Sequence, residues 1–357
     1  MVKSRLSTDL LSARASPARR CRAWRDVAAE SAFGADRDGR VTDVTTRVAA
    51  IDCGTNSIRL LVADLPDPSA GSTAPLVDLR RRMEIVRLGQ GVDAIGRLAP
   101  EAIERTRIAL ADYAAEIEKL GAERVRMCAT SATRDAENAA EFRAMVEQTL
   151  GVPPEVVSGD EEARLSFTGA VRGLPADVRS PYLVVDIGGG STEFVVGSRD
   201  AGVHAAISMD IGCVRMTERH LRGNPPGLDE IAAAQADITV AVDRALTAVP
   251  GREAATLVGL AGSVTTVVAI AQGLTEYDPT GIHHARVSYD RVAEVTAQLL
   301  AMTREERLAI PVMHPGRADV IGAGALVLRV IMERAGMESV VASEHDILDG
   351  IAWSLVG

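Results

Sequence analysis

The sequence predicts an α/β fold made of two related domains, and three observations lead to this prediction. The length of 357 residues suits two domains of ordinary size. Strand patterns alternate with helix patterns from residue 47 onward. The segment AIDCGTNSIRLLV around Asp52 also aligns without gaps on VVDIGGGSTEFVV around Asp186. This repeat is too long for a solenoid and implies two similar domains that face each other across a cleft.

Composition and charge exclude several functional classes. Hydrophobic residues make up 47% of the chain and charged residues 25%, which is ordinary for a soluble globular enzyme. Aromatic residues make up only 3%, which argues against a protein that stacks single-stranded nucleic acid on aromatic rings. A net charge of −10 argues against a general DNA-binding or membrane-surface protein. We therefore expect neither DNA nor a membrane as a partner.

The cysteines and one uncharged segment support an enzyme of the cytoplasm. Cys21, Cys53, Cys128 and Cys213 are widely spaced, so we expect free thiols in a reducing compartment. Residues 254–275 carry no charge and are long enough to cross a bilayer. Glycines and hydroxyl residues interrupt this segment, so a buried strand, a glycine turn and a helix explain it better.

The first 46 residues differ from the rest of the chain in charge. They carry nine basic and six acidic residues, whereas the remainder carries 30 basic and 43 acidic residues. Arg19-Arg20 resembles a twin-arginine signal, but charged residues follow where an apolar stretch should begin. We expect residues 1–46 to be a disordered basic extension, or to result from a start set upstream of a true start near Val41.

The first domain is predicted at 47–172 and opens with a β-hairpin. Residues 47–63 contain two apolar runs on either side of a polar turn. Pro100 and Gly121 bracket a helix, because proline is favoured at the first helical position and glycine after the last. The other elements expected here are strands at 76–88, 125–129 and 155–157 and helices that end at Gly151 and span 160–171.

The second domain is predicted at 173–357, after a joining loop at 173–181. The pattern then restarts, with strands at 182–185 and 192–196 on either side of a glycine-rich turn. Alternating strands and helices continue to the end, as expected for a second α/β domain.

The two repeated turns have the components of an anion-binding loop. Their glycines let backbone N–H groups approach a phosphate, and their hydroxyl groups add donors. The aspartate before each turn suits Mg²⁺. For either turn alone, a tight hairpin is the alternative, but two matching copies favour anion binding. The predicted loop residues are Gly54, Thr55, Asn56, Ser57, Gly188, Gly189, Gly190 and Ser191, with a third site at Gly262 and Ser263.

Two polar motifs of the first domain supply further candidates. TSATR at 130–134 contains Arg134, whose guanidinium suits phosphate oxygens; a capped loop with a solvated arginine is the alternative. SGDEE at 158–162 places three acids at a helix start. They serve either as caps or, for one of them, as a general base that takes a proton from water.

Other polar residues have a structural explanation. His283 and His284 are expected in a surface loop rather than a metal site. Helix capping is the default expectation for Arg317, Asp319, His345 and Asp346.

Five motifs, taken in order, resemble those of the Ppx/GppA phosphatase family of exopolyphosphatases and guanosine pentaphosphate phosphatases. They are AIDCGTNS, CATSATRDAEN, SGDEEARLSF, VVDIGGGSTE and GLAGSVTT, and the resemblance covers residues 47–357. It implies two ribonuclease-H-like domains of the actin, sugar-kinase and chaperone-ATPase type with an active site in the cleft between them. The chain is similar to the short actinobacterial exopolyphosphatase type without the C-terminal HD-like region, so we expect short polyphosphate substrates.

The resemblance also implies roles for individual residues. Glu162 matches the catalytic general base, Asp186 the carboxylate at the phosphate and metal site, and Glu193 a second acid that binds metal or water. The loop residues and Arg134 match phosphate-binding positions, whereas Arg59 lies at a variable position. Mg²⁺ or Mn²⁺ is the expected cofactor. A homodimer is a further expectation, because two-lobed members of the family often dimerise.

The expected reaction is release of terminal orthophosphate from polyphosphate by Mg²⁺-assisted attack of water that Glu162 activates. A guanosine pentaphosphate (pppGpp) 5′-phosphatase would use the same site with another leaving group, and this alternative stays open. A small-molecule kinase is disfavoured, because Glu162 stands where such kinases use aspartate. A non-catalytic sensor of polyphosphate or alarmone is disfavoured by the joint presence of Glu162, Asp186 and Glu193.

Overall fold

The computed structural model describes residues 45–66 and 75–356, so almost all of the predicted extension at 1–46 lies outside the described residues. The strands are β1 (Thr45–Cys53), β2 (Ser57–Pro66), β3 (Val77–Ile85), β4 (Arg124–Ala129), β5 (Glu155–Val156), β6 (Tyr182–Ile187), β7 (Thr192–Ser198), β8 (Gly202–Met209), β9 (Thr256–Leu260), β10 (Arg286–Ser288) and β11 (Ser339–Ala342). The helices of the first half are α1 (Val92–Ile95), α2 (Pro100–Leu120), α3 (Ser131–Arg134), α4 (Ala139–Leu150) and α5 (Gly159–Arg172). The helices of the second half are α6 (Cys213–His220), α7 (Leu228–Ala248), α8 (Ala261–Gln272), α9 (Pro279–Ile282), α10 (Tyr289–Ala301), α11 (Arg304–Leu308), α12 (Ile321–Ala335) and α13 (Ile347–Trp353).

These strands form two sheets of related topology. The first sheet has the order β3-β2-β1-β4-β5, and the second has the order β10-β11-β9-β6-β7-β8. In the first sheet β1 pairs antiparallel with β2 and parallel with β4; in the second, β6 pairs antiparallel with β7 and parallel with β9. The predicted α/β fold with two related halves is confirmed.

The local signals in the sequence account for most of the elements. Helix α2 begins at Pro100 and ends before Gly121, whose φ of +68° is the left-handed conformation that glycine accepts most easily. The uncharged segment 254–275 contains β9 and α8. Within the part of the chain that the structure describes, no helix is both long and apolar enough to span a membrane.

Each sheet has its own apolar core. Helices α2 and α4 cover the first sheet with buried residues that include Leu110, Tyr113 and Phe142. Helices α7 and α12 bury Ile238 and Leu326 against the second sheet. Cys53, Cys128 and Cys213 are buried free thiols, as expected, and Cys21 lies outside the described residues.

Helices α5 and α13, here called the exchanged helices, each pack against the sheet that the other half of the chain forms. Helix α5 comes from the first half of the chain but packs against the second sheet, with Phe167 beside Val195. Helix α13 comes from the end of the chain but packs against the first sheet, with Ile351 beside Val48. The boundary at 172/173 stays a prediction, whereas the packing of these two helices links both halves.

The two exchanged helices touch each other backbone to backbone. A Cβ atom added to Gly169 of α5 would lie 1.8 Å from the carbonyl oxygen of Asp346. A Cβ atom added to Gly350 of α13 would lie 2.0 Å from the carbonyl oxygen of Leu165. This close crossing places the middle and the C-terminal part of α5 against the first turn of α13.

Candidate active site

The two repeated turns have the same backbone geometry. In the β1–β2 turn the N–H of Gly54 donates to the carbonyl of Ser57 at 2.9 Å. In the β6–β7 turn the N–H of Gly188 donates to the carbonyl of Ser191 at 3.0 Å. The sequence repeat is therefore also a repeat of local structure.

Each hairpin places two charged side chains opposite each other, but the two pairs differ in charge. Asp52 lies opposite Arg59 in the first hairpin, and the two form a salt bridge of 2.7 Å. Asp186 lies opposite Glu193 in the second hairpin, so two carboxylates are brought together there. The first aspartate is compensated by its cross-strand neighbour, whereas the second is not.

The carboxylate pair of the second hairpin is buried. Ser166 donates to Asp186 at 2.6 Å, and Ser208 donates to Glu193 at 2.8 Å. Burial, together with nearby carboxylates, raises the pKa of Asp186 to about 7. Burial and the charge of Asp186 raise the pKa of Glu193 to about 8. This pair therefore has a strong electrostatic preference for a proton or a cation.

Glu162 lies in the first turn of α5 and faces the same cavity as Asp186. The hydroxyl of Ser158 caps the helix by accepting from the N–H of Glu161 at 3.2 Å. Burial and the negative charge of Glu193 raise the pKa of Glu162 well above its usual range. Arg134, whose Nη1 is 3.3 Å from Oε2 of Glu162, opposes that rise.

The other two acids of the SGDEE motif have different partners. Asp160 forms an exposed salt bridge with Arg164 at 2.9 Å. Glu161 pairs with Arg126 at 2.6 Å. Capping and surface pairing thus explain these two residues, and Glu162 alone of the three faces the cavity.

A cavity of about 90 Å³ lies between the two turns and the start of α8, with residues of both halves in its wall. It brings together these predicted residues: Gly54, Thr55, Asn56, Ser57, Glu162, Asp186, Gly188, Gly189, Ser191, Gly262 and Ser263. The other three predicted residues lie beside this wall. Gly190 packs against Ser131, Glu193 is paired with Asp186, and Arg134 donates to the carbonyl of Val157 at 2.9 Å and to Glu162.

Arg317 also lines the cavity, although the sequence predicted only a capping role for it. Its guanidinium packs on Gly262 and donates to the hydroxyl of Thr266 at 3.3 Å. Among the residues that the structure describes, no carboxylate lies within ion-pair distance of it. No short-range signal connects Arg317 with Gly262, because only tertiary packing brings them together.

Arg59 joins the first hairpin to α13. Its Nε and Nη2 donate to Asp52 at 3.0 and 2.7 Å, and its Nη1 donates to Asp346. Asp346 also accepts from the N–H of Leu348 at 3.0 Å, so the predicted cap is confirmed. The ion pair with Arg59 is a second role that the capping pattern did not reveal.

The donor chemistry of the cavity suits Mg²⁺. Oxygen ligands are the ones that Mg²⁺ prefers, and one buried oxygen, Oδ1 of Asp52, has no hydrogen-bond partner among the described residues. Across the ranges 45–66 and 75–356, no three or more acidic, histidine or cysteine side chains converge as a ready metal cage. A site with one or two protein carboxylates, completed by water and phosphate oxygens, is the usual arrangement for Mg²⁺.

Comparison with known proteins identifies the family of the chain. The sequence profile of the Ppx/GppA phosphatase family matches residues 68–356. Exopolyphosphatase 2 of Mycobacterium tuberculosis is 53% identical over 322 residues, which cover 87% of this chain and 99% of that protein.

Two solved structures extend the comparison to the fold. The crystal structure of an exopolyphosphatase-like protein is 43% identical, with a TM-score of 0.82 over 87% of this chain and 99% of that chain. The Aquifex aeolicus member of the Ppx/GppA family is 30% identical, with a TM-score of 0.73 over 88% of this chain and 98% of that chain. The chain therefore belongs to the Ppx/GppA phosphatase family.

Proposed function

We propose that this protein is an exopolyphosphatase that releases terminal orthophosphate from short inorganic polyphosphate chains. The observation that carries the proposal is a buried glutamate, Glu162, facing a cavity rimmed by two phosphate-loop turns. The name of the Mycobacterium relative supports the same activity.

Glu162 would act as the general base. It orients a water molecule and accepts its proton while the water oxygen attacks the terminal phosphorus; the bond to the bridging oxygen breaks and the shortened chain leaves. A general base is most effective when its pKa lies near the working pH, and the raised pKa of Glu162 is closer to neutral pH than that of an ordinary glutamate. Arg134 holds the Glu162 side chain in place, and the turn amides and Arg317 would bind the phosphoryl oxygens.

Asp186 and Glu193 would hold the metal ion. When bound, Mg²⁺ supplies positive charge that stabilises the phosphoryl oxygens and the leaving chain. The uncompensated pair of carboxylates, whose pKa values are both raised, supports this assignment.

A second cavity, of about 490 Å³, adjoins the first and gives room for the rest of the substrate. It shares Arg59, Gly262 and Arg317 with the first cavity and adds Arg81 and Arg82. Of these arginines, Arg317 has no carboxylate at ion-pair distance among the described residues and suits a polyphosphate chain. Arg59, Arg81 and Arg82 already pair with Asp346, Asp349 and Glu84.

The other wall of this second cavity favours one alternative substrate. It contains Tyr277, Val312, Met313 and Pro315, which offer apolar surface that a bare polyphosphate does not need. A nucleoside leaving group would use that surface, so pppGpp is the second candidate.

A substrate panel tests the proposal. Phosphate release is measured on tripolyphosphate, longer polyphosphates and pppGpp, with Mg²⁺ and with a chelator, for the wild type and Glu162→Gln. We expect release from short polyphosphates that needs Mg²⁺ and falls at least about a thousandfold in the variant. Asp160→Asn, which changes the exposed acid of the same helical turn, is the matched control and should keep full activity.

Three results would contradict the proposal. Near-normal turnover by Glu162→Gln would exclude the general base. Release from pppGpp alone would replace the proposed substrate by the alternative one. Tight binding of all substrates without any release would indicate a sensor.

A further inference from the structure

A cavity of about 430 Å³ lies in the second half of the chain, between α6, α11 and the start of α12. It shares no lining residue with the two cavities of the candidate active site. Three arginines, Arg222, Arg304 and Arg307, line it.

Arg307 is the most informative of the three because it is only 6% exposed. Its Nε donates to the carbonyl of Leu299 at 2.8 Å, and its Nη1 donates to the carbonyl of Ala318 at 3.2 Å. In the described part of the chain, no carboxylate lies within ion-pair distance of its guanidinium. Burial lowers the pKa of Arg307, and the negative charge of Asp319, which lies in the wall of the same cavity, opposes part of that shift.

The other two arginines are exposed at the rim of the cavity. The side chain of Arg222 donates to the carbonyl of Glu218 at 3.3 Å. Among residues 45–66 and 75–356, the side chain of Arg304 makes no hydrogen bond or ion pair. Both guanidinium groups are therefore available to a ligand.

The acids in the wall of this cavity, Glu218 and Asp319, have partners outside it, although the buried Oδ1 of Asp319 has no hydrogen-bond partner among the described residues. Glu218 accepts from the N–H of Gly91 at 3.1 Å, and Asp319 pairs with Arg87 at 2.7 Å. Both partners belong to the first half of the chain.

Two further acids lie next to the cavity and also have other partners. Glu230 accepts from the N–H of Gly227 at 2.8 Å, and Glu305 accepts from the side-chain amide of Asn224 at 3.1 Å. The three guanidinium groups are thus left without a carboxylate at contact distance.

We propose that this cavity is a second anion site that binds a phosphate-bearing ligand, separate from the candidate active site. Planar guanidinium groups bind phosphate oxygens in pairs, and a cavity of this size accepts anything from orthophosphate to a short oligophosphate. The buried Arg307 would meet the ligand inside, and the rim arginines Arg222 and Arg304 would close around it.

Calorimetric titration of the full chain tests this proposal without relying on turnover. The Glu162→Gln variant is titrated with orthophosphate and, separately, with tripolyphosphate, so that no ligand is hydrolysed. The titrations are then repeated on a rim variant, in which Arg222→Ala and Arg304→Ala are added to Glu162→Gln. Arg143→Ala with Arg244→Ala is the matched control, because both are exposed arginines without an ion pair among the described residues.

We expect two binding events for at least one ligand, of which one weakens at least about tenfold when the rim arginines are removed and neither changes in the control. The ligand whose second binding event weakens in the rim variant shows whether the site takes the free phosphate ion or the oligophosphate. A single event for both ligands, or two events that survive in the rim variant, would overturn the proposal. Failure of the proposed enzyme activity would leave these titrations unaffected.

Discussion

At the scale of single residues, the central fact is that Glu162, Asp186 and Glu193 are buried close to one another. Buried carboxylates repel each other and lose hydration, so each prefers to be neutral. Arg134 relieves part of this repulsion at Glu162, and the hydroxyls of Ser166 and Ser208 relieve part of it at the other two. The titration of Glu162 therefore depends on whether the Asp186–Glu193 pair is protonated, ionised or bound to a cation.

The first prediction concerns the pH dependence of activity. Because the charge of Glu193 raises the pKa of Glu162, we expect Glu193→Gln to lower that pKa. The acidic limb of kcat against pH should then move to lower pH, even where the maximal rate is reduced. Asp160→Asn should leave the limb in place, since Asp160 is paired with Arg164 on the surface. If the acidic limb does not move in Glu193→Gln, Glu193 does not control the pKa of Glu162.

The second prediction concerns stability against pH. Folding raises the pKa of Glu193 to about 8, so between its unfolded pKa and that value the native state binds more protons than the unfolded state. The free energy of unfolding contributed by this group therefore falls as the pH rises through that window. We measure the Tm of Glu193→Gln minus the Tm of the wild type in the presence of a chelator. This difference should be a few degrees larger near pH 9 than near pH 5.

Added Mg²⁺ provides the control for this second prediction. The ion should reduce the difference near pH 9 by stabilising the ionised pair in the wild type. A Tm difference that does not depend on pH would contradict the raised pKa.

The third prediction concerns the Asp52–Arg59–Asp346 contact. Removing the guanidinium by Arg59→Met leaves two buried carboxylates without their cation, so we expect a loss of about 3–5 kcal/mol in the free energy of unfolding by urea. Asp52→Asn in the same chain should recover part of this loss, because one of the two charges is then gone. Equal stability of Arg59→Met and the wild type would mean that both carboxylates are compensated by other groups.

At the scale of elements, helices α5 and α13 connect the site to the fold. Helix α5 carries Glu162 in its first turn, and Asp346 caps α13. Their closest contact is at Gly169 and Gly350, where no side chain separates the two backbones. The distance between Glu162 and the Asp346–Arg59 pair thus depends on two glycines in the helix interiors.

The fourth prediction tests this crossing. Gly169→Ala would place a methyl group 1.8 Å from the carbonyl oxygen of Asp346, so the helices must separate. We expect a loss of about 3 kcal/mol or more in the free energy of unfolding, together with reduced kcat. Gly227→Ala is the control, because the nearest atom to its added Cβ is 3.8 Å away, and its cost should stay near 1 kcal/mol or below. A stable and fully active Gly169→Ala would show that the crossing adjusts freely.

Local sequence signals predicted most elements but not the partners of α5 and α13. Apolar runs, Pro100 and Gly121 define β1, β2 and α2 because these signals act within a few residues of one another. The same signals predicted a helix from residue 160, which the structure confirms, but periodicity shows only that a helix has an apolar face. Which sheet that face covers depends on tertiary packing, and here α5 covers the second sheet.

At the scale of the whole molecule, the same distinction applies to the candidate site. The repeat predicted the two turns with Asp52 and Asp186, since both copies preserve the motif. It did not predict that Arg317 lines the cavity or that Asp346 pairs with Arg59, because Arg317 and Asp346 lie in loops far along the chain. These residues belong to no repeated motif, so the sequence offered only the capping explanation for them.

Arg215 links the second hairpin turn to two acids of the first half of the chain. Its Nε donates to the carbonyl of Gly190 in the β6–β7 turn at 2.6 Å, and its Nη2 donates to Asp135 at 2.6 Å. Its Nη1 pairs with Asp93. One guanidinium on α6 thus holds the second turn against two acids of the first half.

The fifth prediction follows from that arrangement. Arg215→Met should leave the two halves connected through α5 and α13 but favour an open cleft, in which the two turns no longer bind one phosphoryl group together. We expect KM for short polyphosphates to rise about tenfold with a smaller change in kcat, because a substrate that binds only the closed form must then supply the free energy of closure. Arg219→Met is the matched control: Arg219 pairs with Asp93 but makes no contact with Gly190 in the described structure, so the rise in KM should be smaller. High salt should raise the KM of the wild type towards that of Arg215→Met, since it weakens ion pairs at partly exposed sites. A KM unchanged by Arg215→Met at low salt would mean that the exchanged helices alone keep the cleft closed.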